Sequence, residues 1–290
     1  METARISLQG DRSNNQDRCA IFNYGQSCLM VLADGLGGHP RGEVAAQIML
    51  NVCEQLFTKT PKPISSPQFF FHHCVAHAHK LINQYGQSQD PVITPRTTVV
   101  MALIQDGNCY WSYAGDSRFY LLRDNEIILQ STDHSVPQRN ARGEENPANH
   151  ALTRCVGGQR SAPMPSTEPP FPLQPEDVLL LCSDGLWSQL PQQQLVETLC
   201  NVFPLKKALH MLSSSAEKNG QSRSDNISAL SIRVDDRNCG MHAVSYAGDS
   251  ENELLSAIDH LNTLITSTLS YSKLHKWQGE DIMQHIVLKG

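Results

Sequence analysis

Uninterrupted apolar runs punctuate this chain, and each stops at a polar turn. Residues 28–33 (CLMVLA) and 178–182 (VLLLC) have strand length and read as buried strands. The first ends at Asp34-Gly35 and the second at Asp184-Gly185. Residues 4–9 and 19–24 read as short strands around the polar turn GDRSNNQD. Residues 97–105 and 108–114 flank Asp106-Gly107, a strong hairpin signal. Residues 119–122 and 126–129 flank Arg123-Asp124-Asn125, which predicts a second hairpin. Residues 226–234 alternate as a last strand.

Helical spacing appears between these strands. Val44, Ile48, Cys53 and Leu56 recur three to five residues apart within 43–57. Further helices are predicted over 68–84, 191–200 and 204–218. Helices follow clusters of strands instead of alternating with single strands, so an α+β fold is expected, with two antiparallel sheets and helices outside them. Residues 137–149 (PQRNARGEENPAN) are polar and read as an exposed flap, and 161–177 as a Pro-rich connection. Beyond 235 the pattern changes. Leu254, Ile258, Leu261, Ile265 and Leu269 have helical period, and Ser250 with Glu253 fits a capping box. The expected organisation is a main domain over 1–235 and a partly helical appendage over 236–290. The appendage packs on the domain's own surface or offers a docking surface to a partner.

Composition narrows the class. The 290 residues are 40% hydrophobic, enough for a packed core. Net charge is −6 and no run of Lys or Arg occurs, so neither nucleic acid nor a membrane surface is an expected partner. No apolar stretch has the ~18 residues of a membrane span, and METARISLQGDRSNNQD lacks the apolar core of a secretion signal. A cytoplasmic protein is expected. Nine cysteines, with irregular spacing and no CxxC, read as buried free thiols in a reducing compartment.

The candidate chemistry lies in the aspartates. Asp17, Asp34, Asp116, Asp184 and Asp225 each stand where an apolar strand meets a polar turn. Carboxylates so placed can converge at one end of a sheet, where a cation relieves their repulsion. Oxygen donors with no His or Cys among them favour Mg²⁺ or Mn²⁺ over zinc. Spacing alone leaves the plain reading open, since Asp-Gly after a strand is usually a turn.

RSNNQD at 12–17, ADGLGGHPRGE at 33–43, RTTVV at 96–100 and AGDSR at 114–118 are followed by TDHS at 132–135, LTRCVGG at 152–158, CSDGLW at 182–187 and SDNIS at 224–228. In this order they resemble the metal-dependent, type 2C serine/threonine protein phosphatases in their bacterial form. The resemblance implies a four-layer α-β-β-α sandwich whose cleft holds two Mn²⁺ or Mg²⁺ ions. Asp34 would bridge them, Asp184 and Asp225 would complete one ion, and the Gly35 carbonyl would join the other. Asp17 would lie beside the centre, holding metal-bound waters or ligating directly, and Asp116 would help the Asp184 position hold a third, weaker ion. Arg12 would grip the substrate phosphate with its planar fork, a bidentate role lysine cannot fill. The implied activity is hydrolysis of phosphoserine and phosphothreonine in proteins by metal-activated water, reversing a Ser/Thr kinase. The other reading is a catalytically silent phosphoprotein-binding module of the same fold. Retention of all the principal aspartates argues against it.

Two positions depart from the family pattern. Leu36 stands where many eukaryotic members have a His that serves as candidate general acid, and His39, three residues on, reads as a turn residue before a proton donor. Gln16 stands where many members have Glu. Other motifs carry less. DGLGGHPRGE lacks GK[ST] and is not a nucleotide loop. His73 and His77 lie four apart without an acidic partner and read as a mixed helix face. SYAGDS recurs at 245–250, where Asp249 reads as a helix start.

Overall fold

The computed structural model of the chain describes residues 1–139, 145–158 and 160–235. The predicted appendage, with Asp249 and the Ser250–Glu253 capping box, lies outside them, as does Cys239. In chain order the elements are β1 (Glu2–Leu8), β2 (Asp17–Tyr24), β3 (Ser27–Asp34), α1 (Gly42–Lys59), α2 (Pro67–Gln87), β4 (Val99–Gln105), β5 (Asn108–Ala114), β6 (Arg118–Arg123) and β7 (Glu126–Gln130). There follow β8 (Ser135–Arg139), β9 (Glu145–Leu152), β10 (Ser166–Thr167), β11 (Phe171–Pro172), β12 (Val178–Cys182), α3 (Asp184–Trp187), α4 (Gln192–Asn201), α5 (Leu205–Gly220) and β13 (Ile227–Arg233).

Two antiparallel sheets form the centre, as expected for an α+β sandwich. One has the order β1-β13-β12-β6-β7 and the other β10-β5-β4-β3-β2, with β11 also on β5. The unbroken apolar run of β3 has a simple cause. Leu29 and Val31 face α1 and α2 with Phe57 and Phe71, while Met30 and Leu32 face the opposite sheet with Phe119, Leu181 and Leu230. β12 is shared likewise: Leu180 packs under α4 and α5 with Leu209 and Leu212, and Leu179 and Leu181 turn inward. Four layers therefore enclose three apolar interiors.

Both predicted hairpins form. Asp106 and Gly107 have φ of 49° and 70°, the two left-handed residues a tight type I′ turn requires. The second turn is shorter than the sequence suggests. Its loop is Asp124-Asn125 alone, with φ of 52° and 62°. Arg123 instead ends β6 and holds the fully buried Asp177 at 2.7 and 2.8 Å. The flap segment contains a two-stranded ribbon, β8 against β9. The Pro-rich connection is more ordered than its composition predicts, because β10 and β11 each add two residues to the edge of β5. The short α3 was also not predicted.

Eight described cysteines are free thiols, seven of them buried. Burial pushes the Cys19 and Cys28 thiols up to about 12, which keeps them protonated and unreactive. No helix among the described residues is long and apolar enough to cross a membrane.

Candidate metal centre

The five singled-out aspartates come from both sheets and meet at one end of the sandwich. Asp17 opens β2 and Asp34 closes β3, and antiparallel register sets them opposite each other. In the other sheet, Cys182 at the end of β12 pairs with Arg118 on β6 and Ala229 on β13. Residues just beyond that line therefore share an edge: Asp184, Asp116 and Asp225. The Ser183 hydroxyl ties the sheets together by donating to Asp17 Oδ2 at 2.9 Å.

The electrostatics follow from crowding in a poorly solvated place. Burial, then the charges of Asp17, Asp184, Asp116 and Asp225, pushes the Asp34 carboxyl well above the usual carboxylate range. Burial and Asp116 raise Asp184 to about 8. Burial raises Asp17 to about 6 despite hydrogen bonds that favour its charged form. Asp17 is 2% exposed, and its Oδ1 is buried with no hydrogen-bond partner. Among the described residues, no three His, Cys, Asp or Glu side chains close to metal-ligating geometry. Mutual repulsion opposes that closure, and a neighbouring cation takes up part of the charge. Arg12 Nε and Nη2 donate to Asp225 Oδ1 and Oδ2 at 2.8 and 2.6 Å. Thus Arg12, expected to face a phosphate, lies in the cluster with its fork on a carboxylate.

Backbone contacts fix where the acids stand. The Asp34 carbonyl accepts from Thr98 N at 2.8 Å and from the Thr97 hydroxyl at 2.9 Å. Gly35 sits so close to Gly42 that a Cβ would come within 2.4 Å of its carbonyl carbon, so no other residue fits without displacement. Asn226 organises the loop that bears Arg12. Its Oδ1 accepts from Gln16 N at 2.8 Å, and its Nδ2 donates to the Gln9 and Asn14 carbonyls at 2.7 and 3.1 Å. The Asp116 turn is clamped from two further sides. The Trp187 indole donates to the Asp116 carbonyl at 3.0 Å. The His134 ring accepts from Gly115 N at 3.2 Å and stacks on Tyr113. Burial and Arg154 lower the His134 ring to about 4, so it is neutral at pH 7 and free to accept.

Sequence reasoning did not single out Asn226, Ser183, Thr98, His134 or Trp187, although each lies inside a quoted motif. For Ser183, His134 and Asn226 the available signal was a polar side chain directly beside a motif aspartate; Thr98 and Trp187 had none. His39 lies in the glycine-rich turn, where its main-chain N–H donates to the Leu36 carbonyl at 3.3 Å. Gln16 reaches toward Glu43 at 3.4 Å. His73 and His77 stack along α2, with centroids 6.1 Å apart.

Fold and cluster together define an α-β-β-α sandwich with a buried acidic cluster at one end of its two sheets. A profile of the family described as Protein phosphatase 2C matches residues 7–223. The chain belongs to this family, whose members are metal-dependent protein-serine/threonine phosphatases. A serine/threonine phosphatase stp of Listeria monocytogenes is 26% identical over 235 residues, spanning 77% of this chain and 92% of that protein. The serine/threonine phosphatase of S. agalactiae superposes with a TM-score of 0.70 at 26% identity, over 80% of this chain and 99% of that one. The catalytic domain of the phosphatase PstP, solved in complex with two manganese ions, superposes with a TM-score of 0.66 at 26% identity, over 81% and 98%.

Proposed function

We propose that the chain hydrolyses phosphoserine and phosphothreonine in proteins with a water activated between two divalent cations, Mn²⁺ or Mg²⁺. The observation that carries this reading is the buried, partnerless Asp17 Oδ1 within a set of carboxylates raised by one another's charge. Arg12 offsets only part of the negative charge of this set, and its donors are all hard oxygens. The relative solved with two manganese ions supports the same reading.

In this reading Asp34 would serve both cations, Asp184 and Asp225 would help hold one, and the Gly35 carbonyl would serve the other. Asp17 would hold water at the centre or ligate directly, and Asp116 with Asp184 would offer a third, weaker position. When bound, the cations lower the pKa of water and neutralise charge on the phosphoryl oxygens. The chain's residues supply the rest. Arg12 turns its planar fork from Asp225 to two phosphoryl oxygens and orients the ester. Ser183 holds Asp17 in place through its hydroxyl. The serine or threonine oxygen leaves with a proton supplied by water at the centre. No described thiol is placed to form a phosphocysteine, since seven are buried and burial raises the Cys200 thiol. The enzyme acts on phosphoproteins in the cytoplasm, reversing a Ser/Thr kinase of the same pathway.

The test is release of phosphate from a phosphothreonine peptide with and without Mn²⁺. The expected result is turnover that depends on Mn²⁺ and falls on the order of a thousandfold in Asp34→Asn and Asp225→Asn. Equal rates in all samples would refute it. Tight peptide binding without turnover would indicate a silent binding module instead.

A further inference from the structure

We propose that Thr98 is a positioning residue that sets the Asp116 turn against the strand end carrying Asp34. The inference rests on the metal centre proposed above.

Thr98 lies just before β4 and is 2% exposed. Its main chain and side chain both engage Asp34. Thr98 N donates to the Asp34 carbonyl at 2.8 Å, and Asp34 N donates to Thr98 Oγ1 at 3.2 Å. The same hydroxyl pairs with the Ser117 hydroxyl at 2.8 Å. Ser117 is itself 1% exposed. A hydroxyl has one proton and two lone pairs, so Thr98 can accept from Asp34 N–H and still bond Ser117 in either direction. Its methyl group is used as well. A Cβ on Gly115 would come within 2.6 Å of Thr98 Cβ and Cγ2, and Gly115 has φ of +126°. Glycine there lets the turn press directly onto Thr98.

The two arms of Thr98 thus touch the residues on either side of Asp116, while its backbone holds Asp34. This is also where the chain crosses between sheets, since β5 belongs to one and β6 to the other. Asp116 and Asp34 are both carboxylates, and like charges repel. Neutral contacts to their backbones set the spacing of such groups without adding charge. Trp187 and His134 hold the Asp116 turn to other parts of the cleft. Thr98 joins it to Asp34.

The experiment measures Mn²⁺ affinity by calorimetry on the full chain, with kcat and KM for a phosphothreonine peptide at saturating Mn²⁺. Thr98→Val keeps the shape and removes the hydroxyl. It is expected to weaken Mn²⁺ binding about tenfold or more, in the range of losses seen when groups supporting metal ligands are removed. KM should stay within about twofold, since neither arm faces the peptide. Thr98→Ser keeps the hydroxyl and is expected to bind within about twofold of the parent. Ser117→Ala leaves the Thr98–Asp34 bonds intact, so it keeps the test alive where the valine variant does not fold. It should weaken binding, by no more than Thr98→Val does, and the double variant should be no worse than the worse single one. Equal losses in Thr98→Val and Thr98→Ser, strict additivity with Ser117→Ala, or unchanged affinity in Ser117→Ala would overturn the assignment. If the parent itself binds no Mn²⁺, the metal centre falls and takes the Thr98 role with it. If the parent binds and Thr98→Val binds equally well, only the Thr98 role falls.

Discussion

Arg12 is the residue whose behaviour separates structure from chemistry most cleanly. Its guanidinium is more than half exposed, so its pair with Asp225 adds little to stability, about 0–1 kcal/mol. Its planar fork nevertheless matches two oxygens of one group, whether carboxylate or phosphate. Arg12→Lys is therefore expected to leave the melting temperature nearly unchanged and raise KM for a phosphopeptide about tenfold, a loss of ~1.4 kcal/mol in binding. Parallel steady-state kinetics and thermal melts check this. An unchanged KM would remove Arg12 from the substrate. At this scale the aspartates were legible, because a carboxylate at a strand end is conspicuous in a sequence. Their supports were not. Thr98, Ser183 and Asn226 act through single hydroxyl or amide contacts, and only the fold brings residue 98 to residue 117 or residue 226 to residue 9.

The strands and helices were legible where one interaction dominates. β3 and β12 are wholly apolar because each faces a helix layer on one side and the other sheet on its reverse. Leu181 lies between the sheets with no exposed surface. Leu181→Ala should cost about 2–5 kcal/mol, read as a lower denaturant midpoint with little change in slope. A loss under ~1 kcal/mol would mean that the sheets are not packed on each other there. What escaped the sequence were elements made by tertiary pairing. β10 and β11 sit in a Pro-rich segment and owe their strand geometry to the free edge of β5. α3 spans four residues, too short for any period to register. Its N-terminus begins at Asp184, and its Trp187 secures the Asp116 turn.

Across the whole molecule the acidic cluster acts as a store of unfavourable charge. Asp17 and Asp184 titrate near 6 and 8 in the fold instead of the ordinary 3.8. The folded chain therefore holds protons that the unfolded chain releases. That contribution to stability is fully present below about pH 4 and is lost as the pH rises through 6 and then 8. Chelator-treated protein should melt at falling temperature between pH 5 and 8. Mn²⁺ at pH 8 should restore the loss, because it binds the charged carboxylates of the folded state. A melting temperature that is flat or rising over that range without metal would contradict the crowding. The two-sheet, helix-flanked architecture was visible from the order of elements. The convergence of residues 17, 34, 116, 184 and 225 could only be inferred from resemblance, since no local pattern encodes which sheet ends meet.

The central claim is that these carboxylates jointly hold divalent cations, and anomalous diffraction from a crystal soaked in Mn²⁺ tests it most directly. The account predicts at least two manganese peaks within ligating distance, about 2.0–2.3 Å, of Asp34, Asp184 and Asp225 oxygens, with Arg12 withdrawn from Asp225. A soaked crystal with no peak among these residues, and Arg12 still paired with Asp225, would contradict it.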